Sequence, residues 1–208
     1  MLNLDTTLTF FATSVLLALS PGPDNVFVLM HSAVHGRRAG LLVVLGLCSG
    51  LLFHTAAVAL GLAALLAASA AAFLVLKLAG AGYLLYLAWG AWNAPAGLGD
   101  THAASAMTPW KTYARGVVMN VTNPKVAIFF LAFLPQFVPA GSAHPTSALL
   151  LLGAWFIVQS TLFLLVVVAV AAQARRLQPS PRATRLLNAG GAALFAALAM
   201  RLVARPVV

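Results

Sequence analysis

The chain has 208 residues, 62% of them hydrophobic and only 7% charged, with a mean hydropathy of +0.99. Soluble domains carry about 25% charged residues, so this balance excludes a soluble globular domain and indicates an integral membrane protein. The net charge of +9 does not indicate nucleic acid, because the Lys and Arg residues are scattered between apolar runs rather than gathered on one element.

A hydrocarbon core of about 30 Å needs about 20 apolar residues per helix, and about six stretches of the chain meet that need. The first is expected from Thr6 to Met30. Its n-region holds Asn3 and Asp5 and no Lys or Arg, so it reads as a retained transmembrane helix rather than a secretory signal. A short polar loop from His31 to Arg38 follows, then a second helix from Ala39 to Leu66, an Ala/Ser turn from Ala67 to Ala72, and a third helix from Phe73 to Trp92. The third ends in a band of Tyr83, Tyr86, Trp89 and Trp92, residue types enriched at the membrane interface. The segment Asn93 to Thr112 is the one linker of any length. A fourth helix is expected from Tyr113 to Val138, a tight loop from Pro139 to Pro145, a fifth helix from Thr146 to Ala172, a basic loop from Gln173 to Arg185, and a sixth helix from Leu186 to Val203.

With six spans, the loops after helices 1, 3 and 5 share one side of the membrane. They hold Arg37, Arg38, Lys111, Arg175, Arg176, Arg182 and Arg185, whereas the other side has little beyond Arg205. The positive-inside rule makes the odd loops cytoplasmic, which places both termini in the periplasm.

Two interrupted stretches organise the chain. Ser20-Pro21-Gly22-Pro23-Asp24-Asn25 breaks the first helix, and Asn120-Val121-Thr122-Asn123-Pro124-Lys125 breaks the fourth. In each, a proline that cannot donate a backbone hydrogen bond stands directly before an ionisable residue. The linker divides a single transporter domain, residues 1–208, into two three-helix halves, repeat 1 at 1–92 and repeat 2 at 113–208, joined by 93–112. Three is odd, so the halves run oppositely through the membrane. Aligning Pro23 with Pro124 puts Asp24 opposite Lys125 and Gly22 opposite Asn123. In the second helices Leu42-Val-Val-Leu-Gly46 matches Leu149 to Gly153, and in the third Ala79-Gly80 matches Ala189-Gly190, the shared order of the three carrying the comparison. The expected fold is therefore all-α: a polytopic membrane protein of six transmembrane helices in two inverted repeats, with helices 1 and 4 broken.

Transporters built this way place their site where broken helices of the two halves meet. Asp24 is the one acidic residue inside an expected span, and an intramembrane charge is costly enough to need a partner or a purpose. One reading is a static salt bridge with Lys125, and a kink that only shapes packing is the corresponding reading of the prolines. The functional reading is a zwitterion held with its ammonium on Asp24 and its carboxylate on Lys125. On a straight helix Gly116, Asn120, Asn123 and Ala127 share a face that Lys125 does not. Either the break rotates Lys125 inward or its role is separate.

Thr6, Thr9, Thr13 and Ser20 recur at helical spacing, reading equally as a polar path or as hydroxyls bonded to their own helix. His54 follows Gly46 and Gly50 at four-residue intervals, a small-residue face suited to close helix packing. His31 and His35 have a metal-compatible spacing but no Asp, Glu or Cys beside them, and read as a solvated loop end. The lone Cys48 excludes an intrachain dithiol relay, which argues against the alternative of a redox transporter, and the absence of clustered Asp, Glu, Cys and His argues against a metal-ion transporter. No cofactor or metal is expected.

The whole chain resembles the LysE/RhtB family of amino-acid exporters. The resemblance lies in Ser20-Pro-Gly-Pro-Asp-Asn-Val-Phe-Val-Leu29, Gly36-Arg-Arg-Ala-Gly40, Lys77-Leu-Ala-Gly-Ala-Gly-Tyr-Leu-Leu-Tyr86, Asn123-Pro-Lys-Val-Ala-Ile-Phe-Phe130 and Leu134-Pro-Gln-Phe-Val138. It implies a proton-driven exporter in the bacterial inner membrane, with substrates such as homoserine, threonine, leucine or lysine. Carried onto matching positions, it supports Pro21, Gly22, Pro23, Asp24, Asn123, Pro124 and Lys125 as the functional core, to which Asn25 and Asn120 are added as lining residues and Asp24 as the proton-coupling candidate. With one intramembrane acid, a neutral amino acid suits the site better than lysine. The expected partners are that substrate, protons, the bilayer and, with the oligomeric state left open, further copies of the chain.

Overall fold

A computed structural model describes residues 4–20, 22–68, 70–93, 107–138, 142–173 and 181–204. Every regular element among them is helical: α1 (Leu4–Leu19), α2 (Pro23–His35), α3 (Arg37–Ala68), α4 (Ala70–Trp92), α5 (Pro109–Val121), α6 (Pro124–Ile128), α7 (Pro145–Gln173) and α8 (Pro181–Ala204). The α6 helix runs on as a π turn over Phe129–Phe133 and a 3-10 turn over Leu134–Phe137.

Both expected breaks are present. Between α1 and α2 the chain leaves the helix at Ser20, and Pro23 starts α2 from the extended Gly22. Between α5 and α6 the extended Asn123 precedes Pro124, and the axes of Pro109–Val121 and Pro124–Phe137 differ by 47°. A proline at the first helical position costs nothing, because its missing N–H would have had no partner there.

Several expected boundaries are corrected. His31 to Arg38 is not a polar loop: α2 continues to His35 and α3 begins at Arg37, because Gly36 turns the chain in one residue at φ 86°. That left-handed value favours glycine, which lacks the Cβ that would clash. The central linker ends sooner than Thr112, since Thr108 caps α5 by accepting from the Lys111 N–H at 3.4 Å. Likewise Arg182 and Arg185 belong to the first turns of α8 rather than to a loop. The rest of the linker, 94–106, and residues 69, 139–141, 174–180 and 205–208 lie outside the described residues, and with them Arg175, Arg176 and Arg205.

Arg37–Gly61 and Pro145–Ala171 are long and apolar enough to cross a bilayer, and the bent pair Pro109–Val121 with Pro124–Phe137 makes a third span if counted as one. Thr6–Leu19 and Asn188–Ala204 are shorter apolar helices. At 16 residues, α1 is about 24 Å long, short of the hydrocarbon core by itself.

The α3 helix is central, packing against α2, α5 and α7, while α4 pairs with α8. Its contact with α5 is backbone to backbone. A Cβ on Gly46 would meet the Gly116 Cα at 2.9 Å, and one on Gly50 would meet the Asn120 side chain at 2.6 Å. The four-residue spacing of Gly46, Gly50 and His54 thus marks the face on which α5 lies. Gly80 is likewise packed, against Ala132, Ile128 and Leu202, but its aligned partner Gly190 has open space.

The apolar core centres on aromatic rings that fix the second broken helix. Phe129 stacks on Phe156 of α7 at 4.6 Å, Phe130 meets Phe156 edge-on at 5.4 Å, and Phe137 meets Phe10 of α1 at 5.1 Å. Offset and edge-to-face pairs of this kind add to what area burial supplies. Outward positions on α3, α4 and α7, such as Leu52, Leu60, Trp89 and Leu162, are apolar and exposed, as a lipid-facing surface requires.

Candidate functional site

Breaking a helix frees carbonyls that must be satisfied elsewhere, and each break here meets that need with a side chain. At the first, Asn25 Nδ2 reaches back to donate to the Ala18 carbonyl at 2.7 Å and the Ser20 carbonyl at 3.0 Å. Ser20 O also accepts from Lys125 Nζ at 3.0 Å. At the second, Asn123 Oδ1 caps the Lys125 N–H at 3.0 Å, while the freed Asn120 carbonyl accepts from the Asn123 N–H at 3.0 Å and pairs with His54 Nε2 at 3.2 Å. A carbonyl can only accept, so that His54 nitrogen carries the hydrogen. Phe130 stacks on the His54 ring at 5.6 Å.

The direction of Lys125 is thereby settled: the bend turns it inward. It is 8% exposed, lies 5.8 Å from the centre of the Phe195 ring and sits against Gly22, where even a Cβ would come within 3.2 Å of Nζ. Its ammonium rests on a carbonyl instead of in a salt bridge, and no ion pair joins it to Asp24 among the described residues. Asp24 Oδ2 accepts from Asn120 Nδ2 at 3.4 Å, and Asn123 and Lys125 are the other groups whose charge or dipole acts on the carboxylate.

Asp24, Asn25, Asn120 and Lys125 line one cavity of about 50 Å³, together with Ser160 and apolar side chains of α1, α3 and α7 such as Leu47 and Phe156. Three buried polar atoms on this wall, Asp24 Oδ1, Asn120 Oδ1 and Ser160 Oγ, have no hydrogen-bond partner. Buried polar atoms are nearly always paired, so three unpaired atoms on one wall set this cavity apart as the candidate site. The volume is well short of the ~300 Å³ at which ligand clefts begin, so the cavity admits a small organic molecule only if its walls move.

The chain is similar to the LysE type translocator family over residues 15–205. It belongs to that family. Relatives of this LysE-type translocator include a homoserine/homoserine lactone efflux protein of Salmonella typhimurium, 38% identical over 130 residues, or 62% of this chain and 63% of the relative. An uncharacterised membrane protein of Vibrio cholerae is 32% identical over 181 residues, 87% of this chain and 88% of the relative. A leucine efflux protein of Enterobacter is 28% identical over 199 residues, 93% of each. No solved structure matches the chain. A multi-pass membrane location agrees with the translocator family and with the spanning helices.

Of the residues expected at the translocator's site, Asp24, Asn25, Asn120 and Lys125 come together at the cavity. Asn123, Pro124, Gly22 and Pro23 form the caps and starts of the half-helices, and Pro21 lies outside the described residues. Thr13 donates to the Thr9 carbonyl at 2.7 Å, so this part of the threonine stripe bonds to its own helix. His31 is 4% exposed, stacked between Phe27 and His35, and is not a solvated loop end. Sequence reasoning missed His54 as a partner of the second break and Ser160 as a cavity residue. The Gly46, Gly50, His54 spacing carried a signal for the first, since it fixes the face turned to α5. Nothing in the sequence singled out Ser160, one of three consecutive polar residues with Gln159 and Thr161.

Proposed function

We propose that this LysE-type translocator exports neutral α-amino acids, of the homoserine, threonine or leucine kind, across the bacterial inner membrane in exchange for protons. The observation that carries the proposal is the convergence of one carboxylate and one ammonium, Asp24 and Lys125, on a single occludable cavity where both helix breaks meet. A zwitterion supplies what each lacks. Its ammonium pairs with the unpartnered Asp24 Oδ1, and its carboxylate draws Lys125 Nζ from the Ser20 carbonyl. Ser20 O keeps the Asn25 amide, so the exchange leaves no carbonyl bare.

Proton coupling follows from competition. A proton and a substrate ammonium both neutralise Asp24, so the carboxylate holds one or the other; a proton arriving from the periplasm displaces the substrate outward and returns with the empty carrier. Six spans in two inverted repeats, with both termini periplasmic, supply the frame for alternating access. The pairings α3 with α7 and α4 with α8 support it, because each joins elements that the repeat alignment makes equivalent. The unequal surroundings of Gly80 and Gly190 make the symmetry approximate.

The test is efflux of labelled homoserine and leucine from proteoliposomes under an imposed pH gradient. Asp24→Asn is expected to abolish gradient-driven efflux while the protein stays monodisperse on size exclusion. Undiminished efflux by that variant defeats the coupling role.

A further inference from the structure

Ser160 stands on the face of α7 that also carries Phe156, Phe163 and Leu164, spaced as one helical face and all lining the cavity. It is the one hydroxyl on that wall, and it is 7% exposed. A serine or threonine in an apolar helix ordinarily bonds to the carbonyl four residues back. Thr161, the next residue, does so to Ile157 at 2.6 Å, as do Ser32 to Val28 at 2.6 Å, Thr55 to Leu51 at 2.8 Å and Thr13 to Thr9 at 2.7 Å. Ser160 does not, and its Oγ has no partner. Ser14, Ser20 and Gln159 also carry unpartnered buried atoms, but none of them lines the cavity.

We propose that Ser160 is a specificity-determining residue that receives the substrate's side chain and favours a hydroxyl-bearing one over its apolar isostere. The inference rests on the reading of the cavity as an amino-acid site. With Asp24 and Lys125 engaged by the two charges common to every α-amino acid, the polar group left over on the α7 wall faces what differs between substrates. A side-chain hydroxyl gives Ser160 Oγ its missing bond. A methyl in the same place leaves it unpaired, or drives it to back-bond to the Phe156 carbonyl. That escape keeps the discrimination modest, about tenfold, while the surrounding leucine and phenylalanine side chains still accept an apolar substrate.

The experiment compares homoserine with norvaline, which replaces the hydroxyl by a methyl at the same chain length. Counterflow of each labelled amino acid is measured in proteoliposomes of wild type, Ser160→Ala and Ser160→Thr. Wild type is expected to favour homoserine about tenfold. Ser160→Ala is expected to bring the two rates together by slowing homoserine alone, and Ser160→Thr, which keeps the hydroxyl, to retain the preference. Equal wild-type rates, or an unchanged ratio in Ser160→Ala, overturn the assignment. Equal slowing of both substrates in Ser160→Ala also overturns it, since Ser160 would then serve the shared backbone groups. Counterflow of neither amino acid by wild type defeats the amino-acid reading itself, a result distinct from the other three.

Discussion

Lys125 Nζ donates to the main-chain carbonyl of Ser20 at 3.0 Å, a bond between the two helix breaks across 105 positions of sequence. It gives the ammonium a neutral partner instead of a fixed counter-ion. A charge-assisted bond to a carbonyl contributes about 1.5–3 kcal/mol, little enough for a substrate carboxylate to replace it and enough to hold the breaks together without substrate. In the proposed function, opening the site is therefore linked to occupying it.

Replacing Lys125 by Met separates folding from transport. The variant removes a buried charge whose desolvation cost offsets much of its bonding, and Ser20 O still accepts from Asn25. Lys125→Met is expected to melt in detergent at or above the wild-type temperature and to show no counterflow. A variant that transports normally would show that Lys125 is structural alone.

Asn25 is expected to behave in the opposite way. Its amide satisfies two freed carbonyls at 2.7 and 3.0 Å, and leaving a buried carbonyl unpaired costs about 1–3 kcal/mol. Asn25→Ala should lower thermal stability by several degrees, and Asn25→Asp, which lacks the donor, should do the same. Thermal unfolding in micelles followed by the protein's own fluorescence checks both.

His54 is expected to matter through its donor. His54→Gln, whose amide can still donate to the Asn120 carbonyl, should keep most of the transport rate, whereas His54→Leu should reduce it by about tenfold, the worth of one buried bond. The cost is limited because the Asn123 N–H remains on that carbonyl. Initial counterflow rates for the two variants, normalised to reconstituted protein, decide the matter.

The glycines divide into two classes. Gly46→Ala pushes a Cβ into the backbone of α5, and overpacking a rigid contact costs about 1–3 kcal/mol. Gly82→Ala meets open space in a helix interior, where alanine is favoured by about 1 kcal/mol. Opposite shifts in melting temperature are expected.

How much of this was legible in the sequence follows from the physics of each feature. The breaks were, because proline removes a donor wherever it stands, and so was the close-packing face of α3, because small residues at helical spacing leave a groove, though not that α5 fills it. The one-residue turn at Gly36 was not: His31, His35, Arg37 and Arg38 look like a loop by composition, and a glycine's φ depends on the helices it joins. The direction of Lys125 was also hidden, since periodicity assumes a straight axis and the 47° bend between the half-helices invalidates it. Ser160 became visible only as an unpaired atom, a property of three-dimensional packing.

The most direct test of the central claim, a zwitterion held between Asp24 and Lys125, is counterflow of labelled homoserine into wild-type proteoliposomes loaded with one of three unlabelled compounds. These are homoserine itself, N-acetylhomoserine, which lacks the ammonium, and 2-amino-1,4-butanediol, which lacks the carboxylate. Accumulation driven by homoserine and by neither analogue is the predicted result; equal accumulation with either analogue would contradict the pairing of both charges.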